Sequence, residues 1–296
     1  MGRDIRPVVI RCRAIIAPVD DAPAPDPIEA NRLQWDERAP LHVASDFYHV
    51  DRFRSGVSTL RTVEIEEVGD VDGLDLLHLQ CHFGLDTLSW ARRGARVTGL
   101  DFSAPAVEAA RTLAADEGID ARFVCANVDD AVAALGGQTY DVVYTGIGAL
   151  GWLPDIDRWA ATAGALVRPG GSLYVFEHHP FIGALGNGDQ VDDLRFKYAY
   201  DSPVDQPMRW EGSGSYAVPD AETVHNVIYE WNHSLGSIVS SLIDHGLVLE
   251  FLHEHTFMLW RRWPFLVETE PGIWRLPAEH EARLPLMFSV RARRPG

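Results

Sequence analysis

Positive charge is what this chain has little of: 26 Lys and Arg stand against 43 Asp and Glu, a formal net charge of −17. Such an acidic surface repels phosphodiester backbones, which argues against a general nucleic-acid binder and slightly favours neutral or cationic small partners. Cysteine is scarce as well. Cys12, Cys81 and Cys125 do not form a close-spaced framework, which fits a reducing cytoplasm better than a disulfide-stapled secreted protein. No apolar run approaches the ~20 residues that a bilayer-spanning helix requires, so no membrane partner is expected. Arg11 and Arg13 interrupt the short apolar stretch near the N-terminus, against a secretory signal. Internal repeats and long low-complexity tracts are missing too. The Pro-, Ala- and Asp-rich start reads as a flexible leader over residues 1–30, with folded structure from Asn31.

What is present is a regular alternation. With 46% hydrophobic residues in 296, the chain can bury one large core plus a cap. "DLLHLQC", "RVTGLD", "ARFVCAN", "YDVVYTG" and "SLYVFEH" read as strands, separated by amphipathic stretches. Ser103 is placed to cap a helix with Pro105 in its first turn, and Gly94 and Gly118 stand where helices stop. This rhythm predicts an α/β fold, a doubly wound parallel sheet with helices on both faces. After His179-Pro180 it breaks. Residues 180–232 show no sustained period and read as an inserted substrate cap, followed by the helix "SLGSIVSSLIDHG" and the strands "LVLEFLHEH" and "LPLMFSVRARR".

Ligands of open α/β sheets bind beyond the carboxyl ends of the strands, so four places matter: 80–84, Asp101, Asn127 and 145–148. Asp101 follows the first loop by about twenty residues, the spacing of a carboxylate that accepts from a ribose diol. The first loop, "HLQCHFG", is odd: it holds one glycine, Gly84, among His78, Gln80, Cys81 and His82. Three readings compete: a cofactor loop that has lost glycines, a His/Cys/His metal site, or a core strand with polar residues. On an extended strand His78, Gln80 and His82 share one face and Cys81 the other, so the ligands would not converge and no metal is expected. His253 and His255 share a strand face as well, without a visible third ligand.

Taken in order, "LLHLQCHFG", "VTGLDFS", "ARFVCANVDDA", "YDVVYTGIGAL" and "LVRPGGSLYVFEHHP" resemble the motif series of the class I S-adenosylmethionine-dependent methyltransferases, and the wording of the first resembles a bacterial subgroup acting on small molecules. The resemblance implies a Rossmann-like seven-stranded, mostly parallel sheet with an antiparallel last strand over residues 31–296. It implies S-adenosyl-L-methionine as cofactor and S-adenosyl-L-homocysteine as product. The first loop, with His78, Leu79, Gln80, Cys81 and Gly84, would hold the methionine part. Asp101 would bind the ribose and Phe102 would lie beside the adenine. Asn127 and Val128 would meet the adenine edge, and Thr145 and Gly146 would floor the sulfonium. This sequence departs from the pattern at His78, where the family has an acid, at Gln80 and His82, where it has glycine, and at Asn127, where Asp is common. Residues 31–70 resemble the N-terminal helical lid of small-molecule members, with Tyr48 as its cofactor contact.

For the chemistry, Glu177, His178 and His179 end the fifth strand and are the candidate bases or acceptor contacts. Trp152, Tyr229 and His233 are the candidate substrate-binding residues. The expected activity is methyl transfer to a small acceptor. The alternatives are a non-catalytic S-adenosylmethionine binder and an NAD(P)-dependent oxidoreductase, the latter disfavoured because Gln80 and His82 stand where a pyrophosphate needs glycine. The Trp-rich C-terminal segment is a candidate homodimer surface.

Overall fold

The structure, a computed structural model, describes residues 26–186, 194–280 and 284–296. Most of the expected leader therefore lies outside the described residues. Helix α1 (Pro27–Val43) starts ahead of the expected boundary at Asn31. Asp26 caps it by accepting from the N–H groups of Ile28 and Glu29, and Pro27 takes the first helical position, where its missing N–H costs nothing. Two short helices follow, α2 (Val50–Arg54) and α3 (Thr62–Val68).

The alternating region then forms β1 (Asp75–Leu79), α4 (Leu85–Ala91), β2 (Arg96–Asp101), α5 (Ala104–Asp116) and β3 (Ala121–Cys125). It continues through α6 (Ala131–Ala134), β4 (Tyr140–Thr145), α7 (Ile156–Leu166) and β5 (Val167–His178). Ser103 caps α5 as expected, accepting from Ala106 N–H. Beyond β5 lie α8 (Pro180–Gly183), β6 (Met208–Glu211), β7 (Val227–Glu230), α9 (Leu235–Asp244) and β8 (Val248–His255). The chain ends through β9 (Phe257–Met258), β10 (Val267–Glu270), β11 (Ile273–Arg275) and β12 (Met287–Arg293).

Seven strands make one sheet in the order β3-β2-β1-β4-β5-β12-β8. β1 to β5 pair in parallel, and β12 slots antiparallel between β5 and β8. The fold is the doubly wound, Rossmann-like sheet with an antiparallel last strand that the sequence predicts. Alternation along each strand feeds two cores. Leu77, Leu79 and Val143 pack on one face with Trp159 of α7, whereas Leu76, Tyr144 and Tyr174 pack on the other with Trp90 of α4.

The stretches read as irregular contain short strands. β6 and β7 form an antiparallel ribbon, and β9, β10 and β11 form a small separate sheet. Strands of two to four residues are too short to print a period on the sequence. No helix among the described residues is long and apolar enough to cross a membrane.

Candidate active site

The site is built where β1 stops. β1 ends at Leu79, and the next residues leave the extended conformation: Gln80, His82 and Gly84 have φ of 57°, 52° and 80°. The expectation that His78, Gln80 and His82 share one strand face is therefore corrected, because only His78 lies on the strand. The alternate left-handed residues are the positions where the resemblance calls for glycine. Two are held by side chains that pay a steric cost of about 1–2 kcal/mol each. Gly84 is glycine for a further reason: a β-carbon there would lie 2.8 Å from Phe123 of β3 and 3.0 Å from Ala110 of α5. Close helix–strand packing, as well as φ, fixes that residue.

The two awkward side chains have defined partners. Gln80 Nε2 donates to Ala149 O at 2.9 Å, tying the first loop to the loop after β4. His82 projects into α1, with Nε2 3.0 Å from His42 Nδ1 and its ring edge-on to Trp35 at 5.1 Å. Tyr48 and Phe83 complete the cluster, and the Tyr48 hydroxyl hydrogen-bonds that of Tyr216 from the insertion. Burial first, then Arg38, lowers the His42 pKa to about 4, and burial also carries His82 well below its ordinary value. Both rings are neutral at pH 7.

His78 is buried with Nδ1 2.8 Å from Thr87 Oγ1, and burial lowers its pKa to about 3. Its neutral imidazole occupies the place of an acid. Leu79 is core, contributing backbone only. Cys81 is buried, its thiol pushed up by burial, and its Sγ lies 3.6 Å from His82 O. Asp101 accepts from His82 N–H at 2.8 Å and Ser103 N–H at 2.9 Å, one per oxygen. Burial raises its pKa to about 6 against those donors. Phe102 is partly exposed beside it, and Asn127 Oδ1 accepts from Asp129 N–H at 3.0 Å to cap the turn that buries Val128. At the end of β4, Thr145 Oγ1 is buried without a partner. A side chain at Gly146 would meet the Tyr144 hydroxyl at 3.2 Å and His78 Nε2 at 3.5 Å.

Glu177 is a buried carboxylate that accepts four backbone N–H groups: Gly148 and His178 at 2.7 Å on one oxygen, Ala149 at 2.7 Å and Leu150 at 3.1 Å on the other. Its acceptor positions are filled by the loop after β4 and by the N–H of the next residue. His179 is similarly committed, with Nε2 2.9 Å from Glu254 and Nδ1 accepting from Phe181 N–H. His178 differs: it stacks edge-on against Trp260 at 4.4 Å and its Nε2 is buried without a partner. Burial lowers its pKa to about 3.

Of the candidate substrate contacts, Trp152 reaches the site and meets Trp35 edge-on at 5.2 Å. Tyr229 and His233 do not converge with it. Tyr229 packs in a small core with Ala30 and Trp231, and His233 Nε2 lies 2.8 Å from Leu153 O, fastening a loop. His253 and His255 turn to different partners, Glu67 and Ser289, and among the described residues no group of three His, Cys, Asp or Glu is placed to hold a metal.

Sequence reasoning missed the union of lid and insertion. Asn31 of α1 both donates to and accepts from the Tyr229 backbone at 2.8 Å, extending the edge of β7. Arg38 of α1 is buried and donates to the carbonyls of Gly214, His225 and Gly212, and Glu37 accepts from Val224 and His225 N–H. Only the cluster of charged residues in "WDER" signalled that this helix would face protein on its polar side.

Comparisons with known proteins agree with this geometry. A family model described as a methyltransferase domain matches residues 76–171. Over 115 residues the chain is 33% identical to the ubiquinone biosynthesis O-methyltransferase of Mesorhizobium japonicum, covering 39% of this chain and 45% of that protein. The chain thus spans about half the length of this curated relative. Among solved structures it resembles an S-adenosylmethionine-dependent methyltransferase from Mesorhizobium loti, with a TM-score of 0.52 and 21% identity over 78% of this chain and 96% of that one. It also resembles the magnesium protoporphyrin IX methyltransferase of Synechocystis with bound S-adenosylhomocysteine, with a TM-score of 0.50 and 14% identity over 91% of this chain and all of that one.

Proposed function

We propose that this chain, whose residues 76–171 match a methyltransferase domain, moves a methyl group from S-adenosylmethionine to a small-molecule acceptor. The observation that carries the reading is the loop after β1. Three alternate left-handed residues there turn its backbone toward a buried carboxylate at the end of β2, and the His82 N–H is bonded to that carboxylate. The residues fit the cofactor. Each Asp101 oxygen has accepted one N–H and keeps a lone pair for a ribose hydroxyl. The unpartnered Thr145 hydroxyl lies at the end of β4, where the sulfonium end would rest. Phe102 and Val128 flank the adenine side, with Asn127 held by its own turn. His78, neutral, supplies hydrogen bonding where an acid supplies charge.

When bound, S-adenosylmethionine supplies an electrophilic methyl for in-line displacement. The protein's part is positioning and exclusion of water. Trp35, Tyr48 and Trp152 form an aromatic cover, and Glu177 fixes the loop after β4 through three of its N–H groups. We assign Glu177 and His179 to positioning, and His178, with its free ring nitrogen, to contact with the acceptor. We read the aromatic cover as suited to a small molecule and not a polymer, and we place the protein in the cytoplasm.

Calorimetry with S-adenosylmethionine, S-adenosylhomocysteine and NAD tests the reading. Binding of both sulfur ligands and not NAD is expected, followed by transfer of labelled methyl to small-molecule extract. Binding of NAD alone overturns it.

A further inference from the structure

The first loop leads straight into a carboxylate. Asp86 stands in the first turn of α4, two residues after Gly84, and keeps some accessible surface between the buried Leu85 and Thr87. The Thr59 hydroxyl hydrogen-bonds its Oδ1. Thr59 is in turn held by the Ser89 hydroxyl, which lies 3.2 Å from Thr59 N and 3.0 Å from Thr59 Oγ1. The charge of Asp86 acts on the Tyr48 hydroxyl of the lid and on the Tyr144 hydroxyl of β4. Tyr48 packs edge-on against Phe83 of the loop at 4.9 Å. Tyr144 Oη lies 3.2 Å from the point that a β-carbon at Gly146 would occupy. Asp86 therefore stands between the lid and the end of β4. Asp101, at the ribose end, instead feels the charge of Asp36 from α1.

At the β4 end the strand itself brings no charge. His78, where the resemblance calls for an acid, is neutral, and its Nδ1 is committed to Thr87. Glu64 is buried, bonded to the Tyr144 hydroxyl and to Arg61 N–H at 2.8 Å. Burial raises the Asp86 pKa against the Thr59 hydroxyl and Arg61, and Asp86 adds to the rise at Glu64. Arg61 is exposed, so water and salt weaken its pull. Two acids that oppose each other's ionisation are both relieved by one cation at contact distance. The fully buried, unpartnered hydroxyl of Thr145 ends β4 at the same side.

We infer that Asp86 binds the α-ammonium group of the cofactor's methionine part, so that charge which the family carries on β1 is supplied here from α4. This role rests on the methyl-transfer reading and adds to it the residue that selects the amino-acid end. A primary ammonium suits the place because hydrogen bonds between ionised groups are about twice as strong as neutral ones. Thr59 is then a positioning residue, fixing one carboxylate oxygen. An acid in a first turn also complements the free N–H groups of its helix, but that effect is blind to the ligand. Selectivity among ligands separates the two roles.

Calorimetry compares S-adenosylhomocysteine, its desamino analogue with hydrogen in place of the ammonium, and 5′-methylthioadenosine, which has no amino-acid end. The unaltered protein is expected to prefer S-adenosylhomocysteine to the desamino analogue by about tenfold or more. Asp86→Asn should erase that preference while leaving methylthioadenosine affinity within about twofold, and Asp86→Glu should restore part of it. Thr59→Val should reduce the preference without abolishing it. Equal affinity of the unaltered protein for S-adenosylhomocysteine and the desamino analogue, or a preference that survives in Asp86→Asn, overturns the assignment. An equal loss for all three ligands in Asp86→Asn overturns it too, since the carboxylate would then serve the fold alone. Failure of the unaltered protein to bind any of the three instead overturns the underlying activity, so the two failures are told apart.

Discussion

His82 of the first loop and His42 of α1 meet ring to ring, Nε2 to Nδ1, across 3.0 Å. A neutral imidazole has one donor and one acceptor nitrogen, so the contact fixes complementary tautomers in the two rings. It also explains how a left-handed position came to hold a side chain: the strain at φ 52° is offset by a contact that glycine cannot make.

The strain and the contact can be separated. His82→Ala loses the imidazole and keeps the β-carbon in the left-handed region, whereas His82→Gly loses the imidazole and the strain together. Both variants should be less stable than the parent, and Gly should exceed Ala by about 1 kcal/mol in chemical denaturation. An Ala variant as stable as the Gly variant would show that this backbone is not strained.

Acid should weaken the lid. The His42 pKa falls from 6.5 to about 4 in the folded protein, chiefly through burial. Below pH 6.5 the unfolded chain takes up a proton that the folded one refuses, so this contribution is full above pH 6.5 and is lost as pH falls toward 4. Asp101 and Glu64, raised to about 6 and about 7 by burial, act in the opposite sense: their contribution is present in acid and lost as pH rises through those values. The comparison is therefore made against His42→Asn, whose melting temperature should drop less between pH 7 and pH 5 than the parent's. Parallel curves would count against it.

Glu177→Gln should behave as a structural lesion. A carboxamide presents one acceptor oxygen and turns an NH2 toward N–H donors, so about 3 kcal/mol of stability should go. Methyl transfer should fall with the order of the loop after β4, with no change in the shape of the pH–rate profile. A normal melting temperature with a displaced acidic limb would instead assign the carboxylate to proton transfer.

Arg38→Ala should open the cap. It strands the carbonyls of Gly212, Gly214 and His225, and limited proteolysis is expected to cut faster within residues 212–225. S-adenosylhomocysteine should slow that cutting less in the variant than in the parent. Unaltered cleavage would mean that Asn31 and Glu37 hold the cap without help.

The sheet was legible because its strands are long enough to carry alternation and its helices are punctuated by Ser103, Gly94 and Gly118. The place of Asp101 at the end of β2 was legible from the alternation as well. The roles of Glu177 and His233 were not, since their partners are backbone groups, which no residue type announces. Tyr229 failed as a pocket residue for a related reason: β7 is only four residues long and owes its place to Asn31, far away in the chain.

The pairing of Asn31 with Tyr229 spans 198 positions. During synthesis the first helix leaves the ribosome early and must wait for most of the remaining chain before its polar face is covered. The parallel strands β1 to β5, drawn from residues 75–178, are complete well before then. Assembly therefore runs from shelf to roof.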